Sequence, residues 1–186
     1  MKIVETGLSG LYVLTPKIFK DSRGEFHEFF RETFNSEIGV AGGFVQENVS
    51  KSSKGVLRGL HYQVRKPQGK LVSCLSGEVW DVAVDLRPSS ATFGQHFGIS
   101  LNSETRQQLY IPEGFAHAFY TVSETALIHY KCTSYYDASD EGGVIYNDKE
   151  LNIQWPDGET LLSDKDSALP PLSEAKLVLG DVWGDL

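Results

Sequence analysis

Cysteine is scarce in this chain. Its two residues, Cys74 and Cys132, stand far apart without any C-x-x-C spacing, which excludes a disulfide framework and a zinc site of the usual kind. A reducing compartment follows, and the cytoplasm is the expected location. Long apolar runs are also missing: the N-terminal MKIVETGLSGLYVL is too polar for a signal peptide, and no stretch approaches the ~20 apolar residues of a membrane span. Positive charge is in deficit, with 17 Lys and Arg against 25 Asp and Glu and a formal net charge of −8. Nucleic-acid binding normally shows a basic patch or stripe, so that class is set aside, and any anionic ligand must meet a local cluster of Arg and Lys. No internal repeat, low-complexity run or linker interrupts the chain. Its 186 residues, 40% hydrophobic and 23% charged, suit one globular domain over 1–186.

What is present is mostly β-patterned. From residue 44 onward the strand candidates are 44–50, 56–63, 71–76, 78–86, 94–100, 107–111, 117–122 and 126–133, with Gly, Pro, Asn or Ser between most of them. Short strands at regular spacing predict a sandwich or barrel. Ahead of them, residues 1–15 read as one extended strand and 21–24 as a turn. Residues 25–30 read as an aromatic edge or partner-facing strand, and 31–39 as a short helix stopped by Gly39. After Tyr136 the chain becomes polar and turn-rich, and the tail from Leu161 is expected to wrap back over the barrel with a short helix.

The stretch from Gly55 to Arg87 concentrates acid–base chemistry, offering Arg58, His61 and Lys70 in close succession. Within it, 70–76 and 78–86 alternate at period 2 about Gly77, the pattern of paired half-buried strands. In the second segment Trp80, Val82, Val84 and Leu86 share one face and Val79, Asp81, Ala83 and Asp85 the other. Such a face becomes either a pocket wall or an ordinary solvated sheet surface. Strict alternation also sets Arg58 and His61 on opposite faces, so a bulge at Gly59 is needed to bring both into one pocket.

Gly55, six residues before His61, and Pro112-Glu113-Gly114-Phe115-Ala116-His117 resemble the two halves of the cupin signature. Cupins are double-sheet β-barrels, so the resemblance implies a mainly β jelly roll with N-terminal strands and a short C-terminal helical tail. In metal-dependent cupins a second His and a Glu follow the first. Here His61 is followed by Tyr62-Gln63, with no Glu until Glu78, so no metal is expected.

A closer resemblance is carried by six motifs: Gln46-Glu47-Asn48, Leu57-Arg58-Gly59-Leu60-His61, Gln68-Gly69-Lys70-Leu71-Val72, Gly77 to Asp85, Ile111 to His117, and Tyr130-Lys131-Cys132-Thr133. They resemble the dTDP-4-dehydrorhamnose 3,5-epimerases from Arg23-Gly24 to Asp166, with Glu47 standing where Asp is common. That family converts dTDP-4-dehydro-6-deoxy-D-glucose to dTDP-4-dehydro-L-rhamnose without metal or organic cofactor. The resemblance implies His61 as base, Asp166 as the carboxylate orienting it, Tyr130 as acid and Lys70 as the cation that stabilises an enolate. It implies substrate contacts at Arg23, Glu28, Gln46, Asn48, Arg58, His117, Glu141 and Lys165, with Tyr136 stacking on thymine. It also implies a homodimer in which residues 1–30, with Phe19, Arg23, Phe26 and Glu28, cross to the partner barrel.

The chemistry needs those residue types. The protons on C3 and C5 flank the C4 ketone, so removing either puts charge on the C4 oxygen, where a buried cation is worth a few kcal/mol, roughly. Histidine, with an ordinary pKa of about 6.5, suits the base, and a carboxylate on its other nitrogen fixes the tautomer. Inversion needs a donor on the opposite ring face, a task for a phenol. Arg58 and Arg23 suit bidentate contact with a diphosphate. By residue type alone, plainer readings stay open: a core histidine at His61, a packed tyrosine at Tyr130, a loop lysine at Lys70 and a helix cap at Asp166. The competing functions are a C3-only or C5-only epimerase of a related deoxysugar nucleotide, a non-catalytic sugar-nucleotide-binding cupin, and a metal-dependent cupin enzyme.

Overall fold

Alternating side chains build this molecule, a computed structural model that describes residues 1–177, so the end of the expected 1–186 domain, 178–186, lies outside the described residues. In chain order the strands begin with β1 (Lys2–Glu5), β2 (Tyr12–Thr15), β3 (Phe19–Asp21), β4 (Gly24–Phe26), β5 (Gln46–Ser53), β6 (Leu57–Gln63) and β7 (Lys70–Ser76). They continue with β8 (Glu78–Asp85), β9 (His96–Asn102), β10 (Gln108–Ile111), β11 (Phe115–Thr121), β12 (Thr125–Cys132) and β13 (Glu141–Gly143). Two short helices join them, α1 (Phe34–Glu37) and α2 (Asp164–Ser167). The order β1-β2-β10-β7-β12-β5 makes a six-stranded sheet, β13-β6-β11-β8-β9 a five-stranded one, and β3-β4 a separate hairpin. This is the expected double-sheet jelly roll.

The inner faces pack Val72, Cys74, Val79, Ala83, Leu109, Phe115, Phe119 and Ile128 between the sheets. Each fully buried aliphatic side chain contributes about 1.5–3 kcal/mol. The same parity sets the site: β7 places Lys70, Val72 and Cys74 in one row and β12 places Ile128, Tyr130 and Cys132 opposite, with Cys132 directly across from Lys70. Lys70 and Tyr130 therefore stand at the polar end of an apolar barrel.

Three local expectations are corrected. Residues 1–15 form a hairpin rather than one strand, because Thr6 N–H bonds the Leu11 carbonyl and folds β2 back on β1. Of the aromatic run 25–30, only Glu25 and Phe26 lie in a strand. β7 and β8 do not pair, since Gly77 (φ +79°) turns the chain from one sheet to the other, and a side chain there would strike the Thr125 carbonyl. The apolar outer face of β8, with Trp80, Val82, Val84 and Leu86, is covered by the returning C-terminal segment through Val144, Leu151 and Leu172. That segment docks by Leu57 N–H on the Leu161 carbonyl and Leu161 N–H on the Gly55 carbonyl.

The bulge needed at Gly59 is present. His61 faces His117 and Arg58 faces Phe119, so three steps on β6 match two on β11 and both side chains turn inward. Gly59 has φ +116°, and a Cβ there would collide with the His117 carbonyl and Ala118, which excludes any other residue.

Candidate active site

β6, β7, β11, β12 and β5 aim their inward side chains at two adjoining cavities of about 250 and 300 Å³ that share His61, Lys70 and Tyr130. The first adds Gln46, Asn48, Gln68, Tyr136 and Glu141. The second adds Ser50, Arg58, His117, Lys165 and Asp166. Eleven of the thirteen residues singled out by resemblance thus converge on one continuous space. Arg23 and Glu28 do not: Arg23 is exposed and paired with Asp21 at 2.6 Å, and Glu28 lies 3.8 Å from Arg31 on the surface.

His61 Nε2 meets Asp166 Oδ1 at 2.5 Å, leaving Nδ1 toward the cavity, 4.0 Å from Glu141 Oε1. Burial alone would push the Asp166 carboxyl up, but the bond to His61, its charge and the bond from the Ser163 end outweigh this and hold it below the usual carboxylate range. The cap of α2 is Ser163, whose hydroxyl accepts from Asp166 N–H, so Asp166 is not the cap. The Ser-Asp-Lys-Asp sequence carries this signal, a hydroxyl three residues ahead of a carboxylate.

Lys70 has no carboxylate within ion-pair distance among the described residues, and burial lowers its pKa despite partial compensation from Cys132, Asp81 and Glu141. An unpaired cation at the end of an apolar barrel favours whatever anion forms beside it. Burial raises the pKa of Tyr130, reinforced by Cys132 and opposed by Arg58, so the phenol holds its proton. Its hydroxyl has no hydrogen-bond partner among the described residues.

The rim is a connected polar chain. Tyr136 Oη donates to Glu141 Oε2 at 2.7 Å, and Lys165 Nζ reaches the same oxygen at 2.5 Å. Burial would raise the Glu141 pKa, but these two donors and His61 bring it down. Gln46 Oε1 accepts from Tyr136 N–H at 2.9 Å, and Gln63 Oε1 accepts from Asp137 N–H at 2.7 Å, anchoring the loop that carries Tyr136. Arg58 Nε donates to Ser52 at 3.1 Å. Ser50, Ser52 and Gln63 were not singled out from the sequence, and Asp81 was placed only on a face of β8 shared with Asp85. The two serines continue the inward row of Gln46 and Asn48 along β5, so period 2 was their signal. His117 Nε2 lies 3.0 and 2.9 Å from the two oxygens of Asp81, while Asp85 is spent on Arg87, Ser90 and Thr92. Among the described residues no three His, Cys, Asp or Glu side chains are grouped to hold a metal ion.

Residues 5–174 match the family described as dTDP-4-dehydrorhamnose 3,5-epimerase. The chain is 49% identical over 180 residues to the dTDP-4-dehydrorhamnose 3,5-epimerase of Salmonella typhimurium, covering 95% of this chain and 98% of that one. It superposes with a TM-score of 0.90 on the dTDP-6-deoxy-D-glucose-3,5-epimerase of Legionella pneumophila, solved with dTDP-4-keto-L-rhamnose, at 48% identity and 93% coverage of each chain. A 3'-monoepimerase of Streptomyces bikiniensis, solved with dTDP-quinovose, is similar at 36% identity and a TM-score of 0.84, covering 90% of this chain and 86% of that one.

Proposed function

The chain belongs to the dTDP-4-dehydrorhamnose 3,5-epimerase family, and on that premise we propose how its residues divide the work of epimerising dTDP-4-dehydro-6-deoxy-D-glucose at C3 and C5 to dTDP-4-dehydro-L-rhamnose. His61 Nδ1 takes the proton, Lys70 meets the charge on the C4 oxygen, and Tyr130 returns a proton to the opposite face. The C3 and C5 hydrogens of the sugar are axial on the same ring face, so one base reaches both. The observation that carries this reading is the placement of His61, one nitrogen held by Asp166 at 2.5 Å and the other open to a cavity shared with Lys70 and Tyr130. Arg58, His117, Lys165, Gln46, Asn48 and Glu141 bind the rest of the substrate, with Tyr136 on the thymine.

The test is incubation with dTDP-4-dehydro-6-deoxy-D-glucose in deuterated water, with a strong chelator present. Deuterium is expected at both C3 and C5 of an inverted sugar, at a rate the chelator leaves unchanged. Deuterium at one carbon alone would favour a monoepimerase like that of Streptomyces bikiniensis. Loss of turnover in chelator, restored by a divalent ion, would overturn the cofactor-free chemistry.

We further propose a homodimer in which the β3–β4 hairpin and the residues just after it reach the partner's cavity. Phe26 is 71% and Val49 61% exposed, and Arg23 and Glu28 stand away from the cavity of their own chain. Apolar edges of this kind are normally covered. Light scattering at micromolar concentration is expected to give twice the chain mass. A fully active monomer would refute the exchange.

A further inference from the structure

Asp81 carries none of the roles above, yet it lies fully buried beneath the cavity with 0% exposure. Among the described residues its one hydrogen-bond donor is His117 Nε2, shared between its two oxygens at 3.0 and 2.9 Å. A carboxylate so far from water is destabilised unless positive or strongly donating groups face it. The groups that do so come from both sheets. His117 stands on β11, the strand paired with β8, and Lys70 stands on β7 across the barrel, near enough for its ammonium to feel the Asp81 charge. On the other flank, β9 sets only Ile99 against Asp81. One fixed anion thus faces two nitrogen groups.

The bond to Asp81 also orients the imidazole. An acceptor at Nε2 requires the proton there and leaves Nδ1 as the nitrogen presented to the space lined by Arg58, Lys70 and His117. The arrangement parallels His61 with Asp166, and the two histidines are direct cross-strand neighbours. The floor of the site is therefore held by a second histidine–carboxylate pair, one without a place in proton abstraction.

We infer that Asp81 is a positioning residue for the epimerisation: by holding His117 through Nε2 it fixes the floor of the site beside Lys70, the group that receives the negative charge developing on the C4 oxygen. The inference rests on the epimerase reading, but it fails separately. If that reading is wrong, the wild-type protein shows no exchange at all; if only the inference is wrong, the fault shows in the Asp81 variant.

The experiment is Asp81→Asn, which keeps size and one acceptor but removes the charge. Deuterium exchange at C3 and C5 and kcat are expected to fall together by roughly 10- to 100-fold, less than the ~10²–10³ of losing a direct oxyanion donor. KM and calorimetric affinity for dTDP should stay within about 3-fold, a split that a merely structural residue would not produce. Nitrogen-15 spectra of the His117 ring provide a second readout that does not depend on the variant folding: in the wild-type protein Nε2 should be protonated throughout the active pH range. Wild-type exchange in Asp81→Asn, a loss of dTDP affinity as large as the loss in kcat, or a wild-type His117 with a bare Nε2 would each overturn the proposal.

Discussion

Replacing His61 by alanine is expected to abolish deuterium exchange and product formation together, a loss of roughly 10²–10⁴ in rate. The His61 imidazole presents a free nitrogen to the cavity shared with Lys70 and Tyr130 and has a carboxylate, Asp166, behind it at 2.5 Å. Glu141 cannot replace it, because Lys165 and Tyr136 hold its carboxyl below the usual range and so weaken it as a base. Asp166→Asn should fold but turn over slowly. An asparagine can present its NH₂ to Nε2, which moves the imidazole proton to Nδ1 and blocks the base, and the same swap behind a catalytic histidine elsewhere costs up to about 10⁴. Affinity for dTDP, measured by calorimetry, should barely change in either variant, since neither residue is needed to hold a diphosphate or a base. Substantial exchange at C3 in His61→Ala would assign the base to another group.

Tyr130→Phe is expected to separate exchange from inversion. The base, Lys70 and Arg58 remain, so the enolate still forms, but the donor on the opposite ring face is gone. His61 then returns a proton, by now exchanged with solvent, to the face it came from. Deuterium should enter C3 and C5 with retention, while inverted sugar falls by roughly 10²–10⁴. The pH profile distinguishes the two buried groups. Lys70 is charged below its pKa, and burial lowers that pKa, so its charge is lost earlier on the alkaline side than that of a free amine. Tyr130 is pushed the other way by burial and keeps its proton beyond the ordinary phenol value of about 10. The alkaline limb that belongs to Lys70 should persist in the exchange rate of Tyr130→Phe. Normal inversion at both carbons in that variant would return Tyr130 to simple barrel packing.

Much of this was legible before any coordinates, because it depended on short-range pattern. Period-2 alternation in 44–133 announced a sandwich or barrel, while the roles expected of His61, Lys70 and Tyr130 came from the resemblance of their motifs to the epimerase family, since residue type alone left plainer readings open. The conflict between Arg58 and His61 on alternate faces located the bulge at Gly59, since a register defect was the one way to reconcile them. By contrast, Gly77 gave no sign of whether 70–76 and 78–86 pair across a hairpin or part into two sheets. Both arrangements satisfy the same local alternation, and the choice rests on what β10, β11 and β12 offer as partners.

By itself the sequence determined which residue types face inward together on each strand, because side-chain direction follows from backbone pleating alone. Only the tertiary structure decided which strands meet. It put the tail's Asp166 on His61, although 105 positions separate them, left Ser163 as the cap, and placed Asp81 under His117 and Lys70 while Asp85 was spent on a loop. The two aspartates look alike in the chain. Burial separates them, since a carboxylate withdrawn from water must find its donors in space, and those donors come from strands that local sequence cannot bring together.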